Sequence, residues 1–576
     1  MLNEESMSLN NSNFTNLTQM KTFFRPRMGL SAIAPLAAAS MALNAAEKQP
    51  NIIFFLVDDY GWLDSEVAYG EEVYPNNHRV HTPNMKRLSE KGVIMTNAYA
   101  CPISTPTRTS LMSGMHAAHE KINMFTAPEI NTPTDFTGGT RGFFTDASNK
   151  ENDDIFSRPE WNYNGISPEP GIPHTQYMTP MVKQLRDNGY YTIHIGKGHW
   201  ASMGTPGVSP YNMGFLVNVA GNMAGMPRSY YAEDNFGNQP DKWTYSAIND
   251  LEEYYGSDMN LTQAITDKAL KAMDYPIEKG EPFYLYMAHF GVHTPIHPEP
   301  QYYQKYLDAG QEEKTAMYSS MVESVDESLG QIMDYLDKKG VADDTIIVFY
   351  SDNGGHSLNT AKNSVPHTFN APLREGKGSV YEGGVRVPMM VYWPGKTAAG
   401  MRVNTPVMPQ DFYPSICEMA GIKDPKTVQK LDGQSFVKLV TDGSQLAKQA
   451  VEKGKIRNQK EANAFVIPES VSGIDPERAV ISHMPHQWRI EDQEDVDFLS
   501  AVRKGDWKLV YRMHDGKLEL YNLKNDLSEK HDVAAKNQKK VKELAKLLGS
   551  QLREWEAPMP VVKATGKLVP LPDELL

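Results

Sequence analysis

The sequence predicts an α/β protein, in which a layered sheet with helices on both faces is followed by a small C-terminal α+β subdomain. Four apolar runs have the composition of buried strands, and segments with a helical pattern of apolar residues separate them. After residue 480 the chain changes to closely spaced short strands and one amphipathic helix. A chain of 576 residues also exceeds the size of most single cores, which favours one large unit and one smaller unit.

The predicted strands of the main domain are continuous apolar runs, as expected for strands that are buried on both faces of a sheet. They are NIIFFLV (51–57), YYTIHI (190–195), PFYLYM (282–287) and TIIVFYS (345–351). Helical patterns at 178–188 and 314–337 lie between these strands. This alternation of strands and helices predicts the layered arrangement.

Two helices are predicted near the start of the main domain. Thr82 and Pro83 are suitable as the N-cap and the first residue of a helix that ends near Lys91. A second helix is predicted over 110–115, after a turn formed by residues 104–108.

The C-terminal part has its own pattern of strands and one helix. SAVRKGDWKLVYR and KLELYNL, both within residues 498–522, predict short antiparallel strands. A stripe of apolar residues at spacings of three and four then predicts an amphipathic helix that docks this unit onto the main domain. The stripe consists of Val541, Leu544, Leu548, Leu552 and Trp555. We therefore predict a main domain over 47–480 and a C-terminal subdomain over 481–576, with a surface insertion over 139–172.

Residues 1–46 are predicted to be a leader and signal peptide. Lys21, Arg25 and Arg27 precede the small and apolar run GLSAIAPLAAASMALNA, which is the order found in secretory signals. The run is short and rich in alanine for a membrane span, and no other stretch of about 20 apolar residues occurs. We therefore predict a cleaved signal and a periplasmic or secreted protein without a membrane span. A disordered leader is the alternative.

The net charge of −14 and the lack of a basic block argue against nucleic acid or an anionic membrane as a partner. An anionic substrate would therefore need a local basic pocket. The two cysteines, Cys101 and Cys417, can form at most one disulfide, so the chain is not a disulfide scaffold.

Polar residues follow each of the four predicted strands directly. They are Asp58 and Asp59, then Lys197 and His199, then His293, then Asp352 and Asn353. Because ligands bind at the carboxyl ends of strands in open α/β sheets, these side chains are predicted to converge on one site. The aspartates and the asparagine offer only oxygen, which suits a hard cation such as Ca²⁺, with Mg²⁺ as the alternative.

Residues 104–114, STPTRTSLMSG, resemble the signature of the formylglycine-dependent (type I) sulfatases of the alkaline phosphatase superfamily. Ser104 has Pro106 and Arg108 at the required spacings, whereas Cys101 would need a proline where Ile103 stands. Further matches occur in the order of the family: the Asp58–Asp59 pair, GK-x-H at 196–199, H-x-P at 293–295, SDNGG at 351–355, and KGS with EGG-x-RVP at 377–388. Gly198 departs from the family, which often has tryptophan there, and we expect looser packing beside it.

This resemblance implies an alkaline phosphatase-like fold and the hydrolysis of sulfate esters. It also implies that an anaerobic sulfatase-maturating enzyme oxidises Ser104 to formylglycine (3-oxoalanine), whose hydrate is the nucleophile. The implied ligands of a Ca²⁺ ion are Asp58, Asp59, Ser104 in its oxidised form, Asp352 and Asn353.

The resemblance further assigns catalytic roles to five side chains. Arg108 would stabilise the formylglycine hydrate, and Lys197 and Lys377 would contact the sulfate oxygens. His199 would orient or deprotonate the hydrate, and His293 would protonate the leaving oxygen as a general acid.

Two other functions remain open at this point: a phosphatase or phosphoryl transferase of the same superfamily that uses an unmodified nucleophile, and an inactive glycan-binding protein on this fold. The resemblance to sulfatases of glycan-degrading bacteria implies a sulfated carbohydrate as substrate, with simple aryl sulfates as the alternative. The segment HMPHQWR (483–489) combines residue types that stack on sugars and contact anions, so His486 and Arg489 are predicted to bind substrate. An ordinary surface loop is the alternative for this segment.

Overall fold

An eight-stranded sheet forms the centre of the main domain, and all of its strands except one run in the same direction. The computed structural model describes residues 48–126, 154–156, 164–238, 246–356, 370–486, 496 and 498–576. The strands are β1 (Asn51–Val57), β2 (Val93–Met95), β3 (Tyr191–Gly196), β4 (Val217–Val219), β5 (Phe283–Ala288), β6 (Thr345–Ser351), β7 (Met389–Tyr392) and β8 (Met401–Val403). Their spatial order is β8-β2-β7-β6-β1-β5-β3-β4, and β7 is antiparallel to both of its neighbours.

Helices cover both faces of this sheet. Among the described residues, the helices of seven or more residues are α1 (Pro83–Lys91), α2 (Ser104–Ser113), α3 (Met181–Asp187), α4 (Leu261–Lys279), α5 (Pro300–Asp308), α6 (Glu313–Lys339), α7 (Phe412–Met419), α8 (Ser444–Glu452) and α9 (Gln538–Glu554). On one face, Ile53 and Phe55 of β1 share a core with α1, α4 and α6. On the other face, Ile52 and Phe54 share a core with α2, α3 and α7. This arrangement confirms the predicted α/β class.

The start of α2 differs from the prediction. The helix begins at Ser104 rather than at Ser110, so residues 104–108 are its first turns and not a separate turn. Pro106 fits there because it is the third helical residue, whose backbone N–H would have no acceptor inside the helix. The helix ends at Gly114, which has a φ of 70°.

Helix α1 has the predicted bounds but a different cap. Thr82 occupies the N-cap position, yet its hydroxyl accepts a hydrogen bond from Glu66 N instead of capping the helix. The carboxylate of Asp326 on α6 accepts hydrogen bonds from Asn84 N and Met85 N at 3.0 and 2.7 Å. This cap depends on a residue that is distant in sequence, so local reasoning could not find it.

The C-terminal part contains an antiparallel four-stranded sheet, one strand more at its start than the sequence predicts. Its strands are β9 (Val480–Met484), β10 (Leu499–Lys504), β11 (Trp507–Arg512) and β12 (Leu518–Asn522). The predicted stripe on α9 packs against one face of this sheet. It also contacts the main domain as predicted, because Ala118 belongs to the same core and Trp555 stacks on His116 with ring centroids 4.2 Å apart. The opposite face of the sheet makes a further contact with the main domain, because Met484 and Leu499 share a core with Ile103 and Tyr381.

The predicted insertion at 139–172 is not entirely a surface segment where the structure describes it. Ile155 and Ile166 are buried, and strand pairs join 155–156 to 561–562 and 166–167 to 176–177. The predicted signal peptide lies outside the described residues. In the described ranges, none of the helices has the length and apolar character needed to cross a bilayer.

Candidate active site

The candidate site lies where β1 and β6 end, because the register of these two strands aligns their polar continuations. Val57 is paired with Ser351, which brings the next residues, Asp58 and Asp352, side by side. Asp59 N then donates a hydrogen bond to Asp352 Oδ1 at 3.2 Å. The three carboxylates offer oxygens that lie within 4.8 Å of one another, and all three side chains are buried.

Ser104 completes this cluster of oxygens from the N-terminus of α2. Its Oγ lies 3.0 Å from Asp58 Oδ1 and 3.0 Å from Asn353 Oδ1. A hard divalent cation fits this donor set, which is buried and contains only oxygen. Burial and the neighbouring Asp58 carboxylate raise the pKa of Asp352 to about 6.

Three buried cations surround the carboxylates. Arg108 directs Nε and Nη2 at Asp352 Oδ2, each at 2.8 Å. Lys197 Nζ lies 2.6 Å from Asp58 Oδ2, and Lys377 Nζ lies 2.6 Å from Asp59 Oδ1. Burial raises the pKa of Asp59, but the charge of Lys377, the nearby histidines and the hydrogen bond from Asn353 together outweigh burial and hold that pKa below its usual range. The cations therefore neutralise the three carboxylates, so a bound divalent ion would leave the site positive and able to attract an anion.

Two histidines border this cluster. His293 Nε2 is 3.7 Å from Asp59 Oδ2, while its Nδ1 is 2.9 Å from the carbonyl oxygen of Thr294. Burial, together with the charge of Lys377, lowers the pKa of His293 to about 3. Burial and the charge of Lys197 hold the pKa of His199 well below its usual value. Both rings are therefore neutral near pH 7 when no anion is bound.

The glycines around Lys197 are explained by close backbone contacts. Gly196 has a φ of 98°, and a Cβ there would lie 1.9 Å from the carbonyl oxygen of Ala288. A Cβ at Gly198 would lie 3.0 Å from the carbonyl oxygen of Asn222, which accepts a hydrogen bond from His199 N. The expectation of loose packing beside Gly198 is therefore wrong, because the Asn222 segment takes the available space.

The predicted substrate-binding residues have different outcomes. His486 has no exposed surface in this structure, and burial lowers its pKa well below the usual value. A sugar could contact this ring only if the segment moved. Arg489 lies outside the described residues.

Sequence reasoning missed two supporting contacts. Thr105 Oγ1 lies 3.1 Å from His199 Nδ1, and the only signal for it was its place inside the Ser104 motif. Lys508, from the WKL run, lies 2.9 Å from the carboxylates of both Glu382 and Glu529. This buried cluster joins the C-terminal sheet to the segment that follows Lys377.

The site combines three buried carboxylates that could hold one metal ion with three buried basic side chains, gathered at the carboxyl ends of parallel strands. This arrangement is typical of a hydrolase that acts on an anionic ester. Residues 50–422 match the family model described as Sulfatase, which spans more than half of the chain. The chain therefore belongs to the sulfatase family and is a sulfuric ester hydrolase.

Curated relatives and solved structures agree with this assignment. A sulfatase of Formosa agariphila is 27% identical over 96% of this chain and 98% of that protein. The N-acetylgalactosamine-6-sulfatase of Rattus norvegicus is 26% identical over 71% of this chain and 69% of its own. The crystal structure of Ps i-CgsB matches with a TM-score of 0.61 and 25% identity, covering 88% of this chain and 93% of that one. BT4656, solved in complex with its substrate D-glucosamine-2-N,6-O-disulfate, shares the fold with a TM-score of 0.54 and 19% identity over 88% of this chain and 98% of that one.

Proposed function

We propose that this enzyme hydrolyses sulfate esters of carbohydrates with a formylglycine made from Ser104 and with one Ca²⁺ ion. The observation that carries the proposal is the position of Ser104 Oγ, 3.0 Å from oxygens of both Asp58 and Asn353. At that position one residue can serve both as nucleophile and as cation ligand. Arg108 and Lys197 contact Asp352 and Asp58 of the same cluster and would be the partners for an anion there.

The oxygen ligands favour Ca²⁺ over a metal that prefers sulfur or imidazole. Asp58, Asp59, Asp352 and Asn353 would hold the ion with the oxidised residue 104. Bound there, Ca²⁺ supplies positive charge for the nucleophile and for the sulfate group. Mg²⁺ is the alternative ion.

Formylglycine supplies, as its hydrate, one hydroxyl that attacks sulfur and a second hydroxyl whose deprotonation expels sulfate. Arg108 stabilises the hydrate, while Lys197 and Lys377 neutralise charge on the sulfate oxygens. His199, neutral because its pKa is low, would orient the hydrate or accept a proton from it. His293 protonates the leaving oxygen, and a bound sulfate anion favours this role because negative charge raises the pKa of a nearby imidazole.

A sulfated carbohydrate is the substrate class that the similar proteins favour. Relatives named for cleaving N-acetylgalactosamine 6-sulfate, and a fold neighbour with a disulfated glucosamine as its substrate, support it. Residues 20–46 support export to the periplasm or the medium, and a Ser-type site requires an anaerobic maturating enzyme acting before the chain folds. A screen of defined sulfated saccharides, with aryl sulfates in parallel, tests the substrate class.

Mass spectrometry of the peptide that contains Ser104 tests the nucleophile. Protein produced with an anaerobic maturating enzyme should be active and lack two hydrogens at Ser104, and protein produced without it should fold but be nearly inactive. Ser104→Ala should abolish turnover and retain metal binding, while the control Cys101→Ala should stay active. Full activity with an unmodified Ser104 would contradict the proposal and favour a direct serine nucleophile.

A phosphatase of the same superfamily is the second candidate. Such enzymes usually hold two zinc ions with additional histidine and aspartate ligands, whereas the described residues contain one clustered carboxylate group, Asp58, Asp59 and Asp352. Parallel assays on 4-nitrophenyl sulfate and 4-nitrophenyl phosphate, with zinc analysis, distinguish the two functions.

A further inference from the structure

His293 lies on a tight turn between β5 and α5, and backbone hydrogen bonds hold one side of that turn. The amide of His293 donates to the carbonyl oxygen of Phe290 at 3.0 Å, which closes the turn. Asp58 N donates to the carbonyl oxygen of Gly291 at 3.0 Å, and Val292 N donates to Asp58 O at 2.7 Å. The turn is therefore fixed directly to the residue that follows β1.

A tyrosine hydroxyl holds the other side of the turn. Tyr230 is 1% exposed, and its Oη lies 2.8 Å from the carbonyl oxygen of Phe290 and 2.9 Å from that of His293. The single hydroxyl hydrogen is thus within donating distance of the carbonyl groups at both ends of the same turn, which share it as one bifurcated hydrogen bond. These contacts fix the backbone from which the imidazole of His293 projects.

The segment that carries this tyrosine is itself anchored. Leu261 N, at the start of α4, donates to Tyr230 O at 2.8 Å. The next residue, Tyr231, donates from its hydroxyl to Pro298 O at 2.7 Å and stacks on His297 with ring centroids 4.9 Å apart. The loop that bears His293 is therefore held at two points by adjacent tyrosines on a supported segment.

We propose that Tyr230 is a positioning residue for His293, and that its hydroxyl keeps the imidazole in line with the leaving oxygen of the ester. This inference rests on the proposed general-acid role of His293. In the described part of the chain, the hydrogen bonds of the Tyr230 hydroxyl go to the two carbonyl groups of the turn, which is the direct structural link between this residue and His293. A group that acts this way affects protonation of the leaving group more than binding of sulfate.

A series of aryl sulfates from 4-nitrophenyl to 4-methoxyphenyl sulfate tests this inference in the matured holoenzyme. A poor leaving group needs the acid, whereas 4-nitrophenolate leaves without it. Tyr230→Phe should therefore lower kcat by about tenfold to a hundredfold on 4-methoxyphenyl sulfate and by less than about threefold on 4-nitrophenyl sulfate, with little change in KM. Hydrogen exchange should also become faster at the His293 amide, which is measurable without turnover.

Tyr190→Phe is the matched control, because Tyr190 is a buried tyrosine that donates to a backbone carbonyl, Pro50 O, at 2.8 Å near the start of β3. It should leave the leaving-group dependence unchanged. His293→Ala distinguishes a failure of the general-acid role of His293 from a failure of the positioning role of Tyr230. If His293→Ala shows no dependence on the leaving group, the proposed acid role fails. If the activity of His293→Ala instead depends steeply on the leaving group, the acid role is supported. In that case the positioning role of Tyr230 is wrong if Tyr230→Phe loses activity equally on all esters. It is also wrong if hydrogen exchange at the His293 amide is unaltered in Tyr230→Phe.

Discussion

Glu120 provides a pH-dependent test of the helix that carries Ser104. Its carboxyl group is completely buried; Ser113 Oγ lies 2.8 Å from Oε2, and Thr109 Oγ1 contacts Oε1. Burial raises the pKa of Glu120 to about 8, and the nearby Asp432 adds to this effect. A protonated Glu120 can donate to Thr109, whose own hydroxyl hydrogen is then free for the carbonyl groups of Thr105 and Pro106.

The raised pKa fixes the sign of the effect on stability. Below the unfolded-state pKa of about 4.3, Glu120 is protonated in both states and the stability is fully present. As the pH rises toward 8, the unfolded state loses its proton first, so the folded state loses stability by about 1.4 kcal/mol per pH unit. Between pH 5 and pH 8 the loss is about 3.5 kcal/mol, because the slope is smaller close to each pKa.

Glu120→Gln replaces the neutral acid with a neutral amide of similar shape. Its free energy of unfolding should be close to that of the wild type near pH 4, and its advantage over the wild type should grow by about 3.5 kcal/mol between pH 5 and pH 8. Urea denaturation of both proteins at each pH, followed by tryptophan fluorescence, measures this difference. The control Glu90→Gln changes an exposed residue on α1, and its free energy of unfolding should vary with pH in the same way as that of the wild type. If the free energies of unfolding of Glu120→Gln and the wild type vary with pH in the same way, the reasoning is refuted. Glu120 would then lose its proton at the same pH in the folded and the unfolded protein.

Two further substitutions test the cation site and the C-terminal sheet. Asp352→Ala should abolish sulfatase activity and Ca²⁺ binding measured by calorimetry, because it removes a ligand and the partner of Arg108; unchanged Ca²⁺ affinity would contradict the proposed site. Lys508→Met should lower the free energy of unfolding at pH 7 by about 3 to 5 kcal/mol in urea denaturation, because the buried Glu529 loses its cation and Glu382 is left with its pair with Arg386. A loss no larger than that of Lys504→Met, at an exposed position, would show that this buried cluster adds little.

The sequence was sufficient for four of the eight strands of the main sheet and for the edge at which polar side chains gather, but the strands at 93–95, 217–219, 389–392 and 401–403 were not predicted. NIIFFLV and TIIVFYS are strands β1 and β6 with the predicted bounds, because apolar runs of that length have few alternatives to a strand buried on both faces. Once those strands are parallel neighbours, Asp58 and Asp352 must lie at the same edge. The resemblance added Ser104, Arg108 and Lys377, whose segments reach this edge from helices and loops.

Contacts between distant segments could not be predicted in the same way. The cap of α1 comes from Asp326, and the pair of Glu382 and Lys508 joins residues that lie 126 positions apart. Tyr230 belongs to a loop without a motif, and nothing in its neighbours indicates that its hydroxyl would meet the turn of His293. Such contacts depend on how whole elements pack, which hydrophobic periodicity does not encode.

The negative charge of the whole chain disfavours binding of an anion, whereas the charge of the site with a bound divalent ion would favour it. The burial of the site explains how both can hold. A protein with a net charge of −14 should repel a sulfate ester at long range, but salt screens exposed charges beyond about 8 Å. At the site the field is local, because the three carboxylates and the three cations around them are buried and balanced. A divalent ion adds two positive charges that nothing in this group neutralises, and in a buried environment they act strongly on a nearby anion. Affinity for sulfate should therefore depend on the bound cation far more than on ionic strength, which equilibrium binding of inorganic sulfate with and without Ca²⁺ can measure.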